Sequence, residues 1–447
     1  MTIQPFFSIV IPTCNRPELL EKNLEACKLI TFQDFEIIVS DNYSDPETAE
    51  VVKRAEFTKV RYYRTSERLS MPDNFDFAWS YANGKYVVFV GDDDVLLPKT
   101  LEETYEIITK HEAQIVIWNS SLFYHEDWKS SGKLHEIPAY GNILELYKTC
   151  NTGYLCQIDV NNMIRNYGKF NFLCFPNTHN FCFLKALGDE VVQKTGRLFW
   201  PLYPDYTSSL LLLGVANKDK VFWSDHNGSC GGRSFNSNIG SFYVKKHKKR
   251  KLRLAEFTEE FKEQDLMPYH PYKLFSFYNG YAAALSLARK VLPREFKSYN
   301  YDAQKLVNLI DTEFNSPALN QFVKGENSKK LFEEMQGILD VKPIVLKENK
   351  PRFRILMYMF NKIRELLKLV KNCLVAKGPI NAVLYNTPSK VQLDISKLGY
   401  KDIVKAIENF DKIYQEFAVG KTEGVIVQAL QAGIIQKVIV PQVTPIK

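Results

Sequence analysis

Three consecutive carboxylates, Asp92, Asp93 and Asp94, follow directly on the apolar run Tyr86-Val-Val-Phe-Val90. Adjacent negative charges are costly to hold together unless a cation neutralises their repulsion. Oxygen ligands alone select a hard ion, Mg²⁺ or Mn²⁺, and Mg²⁺ is commonly held by one or two protein carboxylates plus the oxygens of a bound phosphate. A nucleoside diphosphate would supply those oxygens. The same triplet also reads as a solvated acidic turn ahead of a helix beginning near Pro98, because acids are favoured at helix starts. The elements around it have to decide.

Residues 6–120 alternate short apolar runs with stretches of helical period, the pattern of βαβ units. Residues 7–11, 35–39, 60–63, 86–90 and 113–118 read as strands. Residues 18–29, entered through Pro17, then 46–54, 73–82 and 98–111 read as helices. This alternation predicts an α/β fold with a mostly parallel sheet and helices on both faces, and such sheets bind ligands at the carboxyl ends of their strands. Three polar loops lie there: Thr13-Cys-Asn-Arg16, Asp41-Asn42 and Gly91-Asp-Asp-Asp94, all expected at one edge. Residues 121–244, rich in aromatics, Asn and Gly, read as a pocket-building extension. The expected division is 1–244, a helical basic region 245–378 and a small α/β tail 379–447. The basic region has helices at 274–292, 304–314 and 329–339. The tail has strands at 382–385 and 437–440 and helices at 400–417 and 424–432.

With 447 residues, 45% hydrophobic and 24% charged, the chain has the composition of a globular protein of two or three domains, which excludes disorder, collagen and coiled coil as global descriptions. Eight cysteines without a CxxC pair suggest neither a disulfide framework nor a cysteine zinc site. No run approaches 18 uncharged apolar residues, and the N-terminus lacks the pattern of a signal peptide, so a cytoplasmic protein is expected. The net charge of +7 is unevenly spread: 245–253 holds seven Lys or Arg and no acid, and 352–377 holds seven against Glu365 alone. These segments argue for anionic partners at two places. The first has little aromatic interleaving and no nucleic-acid module beside it, so no nucleic acid is expected. The second reads over 353–375 as an amphipathic cationic helix. It suits peripheral contact with the anionic inner face of a plasma membrane, or packing into the core with its basic face in solvent.

Five segments then acquire a common meaning. Ser8-Ile-Val-Ile-Pro-Thr-Cys-Asn-Arg-Pro17, Phe35-Glu-Ile-Ile-Val-Ser-Asp-Asn-Tyr-Ser-Asp45, Met71-Pro-Asp-Asn-Phe75, Ala82-Asn-Gly-Lys-Tyr86 and Phe89-Val-Gly-Asp-Asp-Asp-Val-Leu-Leu-Pro98 resemble, in order and spacing, the motifs of family 2 glycosyltransferases. The resemblance is clear over 6–120 and looser to 245. It implies a GT-A domain over 1–244, with donor binding in 6–120 and the acceptor side in 121–244. It further implies metal-dependent, inverting transfer of a sugar from a nucleoside diphosphate, with UDP the expected carrier. The acceptor would be a glycan or lipid-linked glycan, as in bacterial surface polysaccharide assembly.

Carried over residue by residue, the resemblance puts Pro12, Thr13, Asn15 and Arg16 in the first donor loop. It gives Asp41 the base-recognition role, counts Asn74 among the donor-binding residues, and assigns Asp92 to the ribose and Asp93 and Asp94 to Mn²⁺ or Mg²⁺. Many relatives have Asp-X-Asp-Asp where this chain has Gly91, which leaves the ligation open within the triplet. The family's general base is an Asp or Glu well downstream at the mouth of a helix, and Asp205 in Leu202-Tyr-Pro-Asp205 fits, a role compatible with capping that helix. His226 and Gly231-Gly-Arg233 fall where such enzymes close a loop over the diphosphate, and Arg233 suits a bidentate phosphate contact. His179, in Asn177-Thr-His-Asn180, is read as structural and kept out of the catalytic set. Two rivals remain. A nucleotidyltransferase on a related sheet would carry a Gly-rich phosphate loop after the first strand, unlike residues 12–16, and a non-catalytic nucleotide or glycan binder has no need of both the intact triplet and Asp205.

Overall fold

The computed structural model describes residues 4–125, 143–147, 154–201, 203–234, 269, 271, 276–315, 383–386, 390–417, 429 and 431–439. Strands β1 (Phe7–Thr13), β2 (Phe35–Asp41), β3 (Val60–Arg64) and β4 (Tyr86–Phe89) alternate with helices α1 (Pro17–Cys27), α2 (Pro46–Arg54) and α3 (Met71–Trp79). They pair in parallel in the order β3-β2-β1-β4. Every residue of β1, β2 and β4 is buried, as the near-continuous apolar runs require of strands covered on both faces.

After the triplet come the short β5 (Val95–Leu96), α4 (Thr100–His111) and the long β6 (Ile115–Tyr124). Then follow β7 (Ile143–Tyr147), β8 (Leu155–Ile158), α5 (Val160–Gly168), β9 (Phe181–Leu184), α6 (Lys185–Thr195), α7 (Pro204–Val215) and β10 (Val221–Arg233). β9 fits antiparallel between β4 and β6, and β10 runs parallel to β6. The fold class is therefore α/β with a parallel core, extended by antiparallel strands.

Successive side chains of a strand face opposite ways, and here each way leads to its own core. Ile9, Ile11, Ile37, Val39 and Val88 meet Leu20 and Leu24 of α1 and Leu101 and Ile108 of α4. Val10, Ile38, Val87 and Phe89 meet Ala78 and Trp79 of α3, Leu187 and Val191 of α6, and Leu210 to Leu213 of α7. Helix α3 begins earlier than its apolar period suggests because Ser70 caps it, accepting the Asp73 N–H, with Pro72 in its first turn.

Helices α8 (Phe277–Val291), the single turn α9 (Pro293–Phe296) and α10 (Ala303–Asn315) follow, with α8 packed on α7. In the tail, β11 (Val383–Asn386) and β12 (Lys390–Asp394) continue the same sheet through β7, and β13 (Ile435–Ile439) pairs with β8. Helices α11 (Ile403–Glu408) and α12 (Phe410–Phe417) bury Ile403, Ile407 and Phe410 against Val95, Leu97 and Cys230, immediately behind the acidic loop. The sheet thus runs across the boundary drawn at 379. The basic segments 245–253 and 353–375 and the helix expected at 329–339 lie outside the described residues.

Candidate functional site

The three polar loops meet at one edge, as a parallel sheet demands. The backbone N–H of Asn42 donates to the Thr13 carbonyl at 3.0 Å, and the Asn15 N–H donates to Ser44 Oγ at 2.8 Å. Asn15 holds a left-handed backbone (φ 52°), a region Asn tolerates better than most residues, and its own Oδ1 accepts the Asp45 N–H. Pro17 opens α1, and the Arg16 side chain makes no cap there. Instead the guanidinium reaches across the sheet edge, 2.9 Å from Asp92 Oδ1 and 3.6 Å from Asp93 Oδ2. Thr13 Oγ1 donates to the other oxygen of Asp92 at 2.6 Å. The loop is held from behind by Asn23, buried on the apolar face of α1, whose amide donates to the carbonyls of Gly91 and Asp94 at 2.9 and 2.6 Å.

Asp94 is the most heavily engaged carboxylate of the three. Its Oδ1 accepts the Gly232 N–H at 2.8 Å, and its Oδ2 accepts the Gly91 N–H at 3.2 Å and lies 3.3 Å from Nδ1 of His179. The triplet therefore has protein counter-charges in Arg16 and His179, which its spacing in the sequence did not reveal. Burial works against each charge. For Asp94 it is outweighed by His179, the Gly232 N–H and Arg233, which hold the carboxyl below its ordinary value. For Asp93 burial prevails over Arg16, and with Asp94 and Asp92 alongside, the carboxyl is pushed up. Burial would lower His179, but Asp94 keeps it raised.

Asp205 stands across from this group at the start of α7, which buries nearly every residue from Thr207 to Gly214 and so fixes its N-terminus firmly. Pro204 occupies the first turn, and Tyr203 before it is forced to φ 112°, a strained value for a residue with a Cβ. Burial pushes the Asp205 carboxyl up to about 6; the Tyr206 N–H and His179 oppose this and Asp94 adds to it. Asp205 thus feels both members of the His179–Asp94 pair. Arg233, at the end of β10, acts electrostatically on Asp94, His179 and Tyr206. These groups form one charged cluster joining the donor loops to α7. Beside Asp205 lies an aromatic wall: Tyr206 is 4.7 Å from Tyr281 of α8 and 5.9 Å from Phe172, ring centre to ring centre.

Other expected residues are placed differently. Asp41 is wholly enclosed: Tyr62 Oη donates to its Oδ2, Arg64 Nε lies 3.7 Å away, and the Ser44 N–H donates to Oδ1 at 2.8 Å. Asn74 is buried on α3 and accepts from Ser40 Oγ at 2.8 Å, bracing the end of β2. Pro12 is buried within β1. Gly231, Gly232 and Arg233 lie on β10 itself, not in a loop. His226 is a correction: it turns away from the site toward α4, with Nδ1 2.8 Å from Ser224 Oγ, Nε2 3.5 Å from Glu103 and its ring near Trp118. His226 lies seven residues before Arg233 on β10, an odd spacing that strand alternation sends to opposite faces, and the strand's register also shifts on either side of Asn227. His179, set aside on sequence grounds, and Asn23 belong to the site. Asn23 left a readable signal, a polar residue among Leu19, Leu20 and Leu24.

Among the described residues no three His, Cys, Asp or Glu side chains converge as a ready-made metal cage. A hard dication sharing its shell with a diphosphate needs no such cage, since one or two carboxylates suffice. The donor set at hand, the hard carboxylate oxygens of the half-buried Asp93 and Asp94, fits such an ion.

Residues 8–187 match the family model described as glycosyl transferase family 2. The match ends before Asp205, Arg233 and α8. Among curated proteins the chain is 35% identical over 100 residues to the GalNAc(5)-diNAcBac-PP-undecaprenol beta-1,3-glucosyltransferase of Campylobacter jejuni, covering 22% of this chain and 32% of that enzyme. It is 28% identical over 118 residues to the poly(ribitol-phosphate) beta-N-acetylglucosaminyltransferase TarP of Staphylococcus aureus, covering 25% of this chain and 35% of TarP. The chain thus spans about a third of the length of each. Among solved structures it is similar to S. aureus TarS 1–349 in complex with UDP-GlcNAc, at 14% identity and a TM-score of 0.44 over 74% of this chain and 80% of that one.

Proposed function

Residues 8–187 are a glycosyl transferase family 2 domain, and from that premise we propose that the protein is an inverting, metal-dependent glycosyltransferase. It would move a sugar from a nucleoside diphosphate, with UDP the carrier, to a hydroxyl of a glycan or lipid-linked glycan. The observation that carries this reading is the convergence of the acidic loop, Arg16 and, through the charges of His179 and Arg233, the carboxylate of Asp205 at the head of α7.

The assigned roles follow from chemistry. Arg233 and Arg16 supply positive charge to the diphosphate, and Asp92, held by Thr13 and Arg16, faces the ribose. Asp41 recognises the base once the Tyr62 hydroxyl yields. Asp93, with Asp94 beside it, would hold Mn²⁺ or Mg²⁺, which when bound neutralises charge on the departing diphosphate. Asp205 accepts the proton of the acceptor hydroxyl as that oxygen bonds to the anomeric carbon. The bond from that carbon to the diphosphate breaks with its electron pair on the leaving group, and the configuration inverts. A carboxyl near 6 is mostly ionised at neutral pH yet more basic than an ordinary carboxylate, which suits it to this step.

The acceptor side is supported by the wall of Phe172, Tyr206 and Tyr281 beside Asp205, since aromatic faces suit the apolar faces of sugar rings. The Campylobacter relative's name specifies an undecaprenol-linked acceptor and that of TarP a polyol phosphate, so a membrane-anchored or polymeric acceptor is the natural extension. No helix of the described residues is long and apolar enough to cross a membrane. A tether through the basic segments 245–253 and 352–377 would bring the enzyme to such an acceptor.

The test is calorimetric titration with UDP, GDP and ADP, with and without Mn²⁺. UDP binding strengthened by Mn²⁺ is expected, and a chain that binds none of the three would refute the reading.

A further inference from the structure

Resting on this reading of the site, we propose that His179 is a positioning residue: it fixes Asp94, and through it the acidic loop, against the strand that carries Arg233. The 3-10 turn Thr178–Asn180 that presents it is pinned on several sides. Asn177 and Asn180 cap it reciprocally, and Trp118 Nε1 donates to the His179 carbonyl at 3.2 Å. The ring packs closely on β10, a Cβ on Gly231 lying 3.1 Å from His179 Nε2. The next residue has to be glycine, because a Cβ on Gly232 would meet the Asp93 carbonyl oxygen at 1.8 Å. The Gly231-Gly232 pair thus lets β10 approach both His179 and the loop, and the Gly232 N–H takes the Asp94 oxygen that His179 does not.

Without the imidazole, the contact left to Asp94 Oδ2 among the described residues is the 3.2 Å one from the Gly91 N–H of its own turn. It would then stand beside Asp93 with less to oppose their repulsion. The loop that should face a diphosphate would lose its set position, while the hydrophobic cores on either side of the sheet would not change. A side chain that merely fills space would be replaced without loss by any residue of similar volume; a positioning imidazole is replaced only by a residue that returns a nitrogen donor where Nδ1 lies. Asn does so, and Leu does not.

The experiment compares His179→Leu and His179→Asn in the full chain. UDP binding with Mn²⁺ is followed by calorimetry, and thermal unfolding without ligand is measured for both, for Asp94→Asn and for the Leu/Asn double variant. The expected result is a loss of UDP affinity of roughly tenfold in His179→Leu, the scale of one charge-assisted hydrogen bond, with His179→Asn within a few-fold of wild type. The unfolding cycle should show His179→Leu and Asp94→Asn to be non-additive. UDP affinity unchanged in His179→Leu, or lost equally in both variants, overturns the proposal. If the wild type binds no UDP, the reading of the site fails, and the cycle still decides the pairing: additive effects overturn it.

Discussion

Replacing Asp205 by Asn should move activity and stability in opposite directions, and the burial of its carboxyl sets the size of the stability change. Burial at the head of α7 pushes this carboxyl up to about 6 from the ordinary 3.8. At 1.36 kcal/mol for each tenfold change, holding it ionised in the folded protein costs about 3 kcal/mol. The folded state binds the proton more tightly than the unfolded state, so stability falls as pH rises from about 4 to about 6 and then levels off. Asn cannot ionise and escapes the penalty, so Asp205→Asn should unfold at a higher temperature than wild type at pH 7 and lose that advantage near pH 4. Transfer should fall by roughly the 10²–10⁴ that general-base catalysis contributes, with UDP affinity near wild type. In the wild type the rate should drop about tenfold for each pH unit below 6, as the base becomes protonated. Thermal melts from pH 4 to 8 and the release of UDP from a UDP-sugar with acceptor present supply the assays. A variant that melts no higher than wild type at pH 7 and retains more than about a tenth of the rate would refute both the strained carboxylate and its role.

Asp93→Asn should abolish the Mn²⁺ enhancement of UDP binding while the thermal melt stays cooperative; unchanged Mn²⁺ dependence in calorimetry would move the cation site elsewhere. Gly232→Ala drives a methyl into the Asp93 carbonyl, so it should destabilise by roughly 1–3 kcal/mol in denaturant titration and weaken UDP binding together, and a neutral effect would mean β10 does not press on the loop. The full chain should sediment with vesicles containing anionic lipid at low salt, each engaged Lys or Arg contributing up to about 1 kcal/mol, and be released at 1 M salt, where the Debye length is about 3 Å. Equal binding to neutral vesicles would rule out the electrostatic tether.

What could be read from the sequence divides along a physical line. The strands β1, β2 and β4 declare themselves because burial on both faces demands unbroken apolar runs, and a parallel sheet then forces their polar carboxyl-end loops together; Thr13, Arg16 and Asp92 meet as that geometry requires. The start of α7 beside Asp205 could be read because Pro204 and the apolar run behind it mark a helix start. His179 could not. Its partner lies on a different strand loop, its turn is built from residues common in any turn, and its ring packs closely on a glycine of a third strand. His226 misled for another reason: nearness in sequence groups it with Arg233, but the two lie an odd number of residues apart on one strand, whose alternation separates their directions. The tail's place was equally hidden, since the pairing of β12 with β7 and the seating of Phe410 behind Val95 are contacts between segments hundreds of residues apart. Local pattern therefore gives the elements and the ends where chemistry gathers, whereas the counter-charges that make a cluster of adjacent acids tolerable arrive from distant loops. In this protein Arg16 and His179 are those charges, and the acidic loop cannot be understood from its own sequence without them.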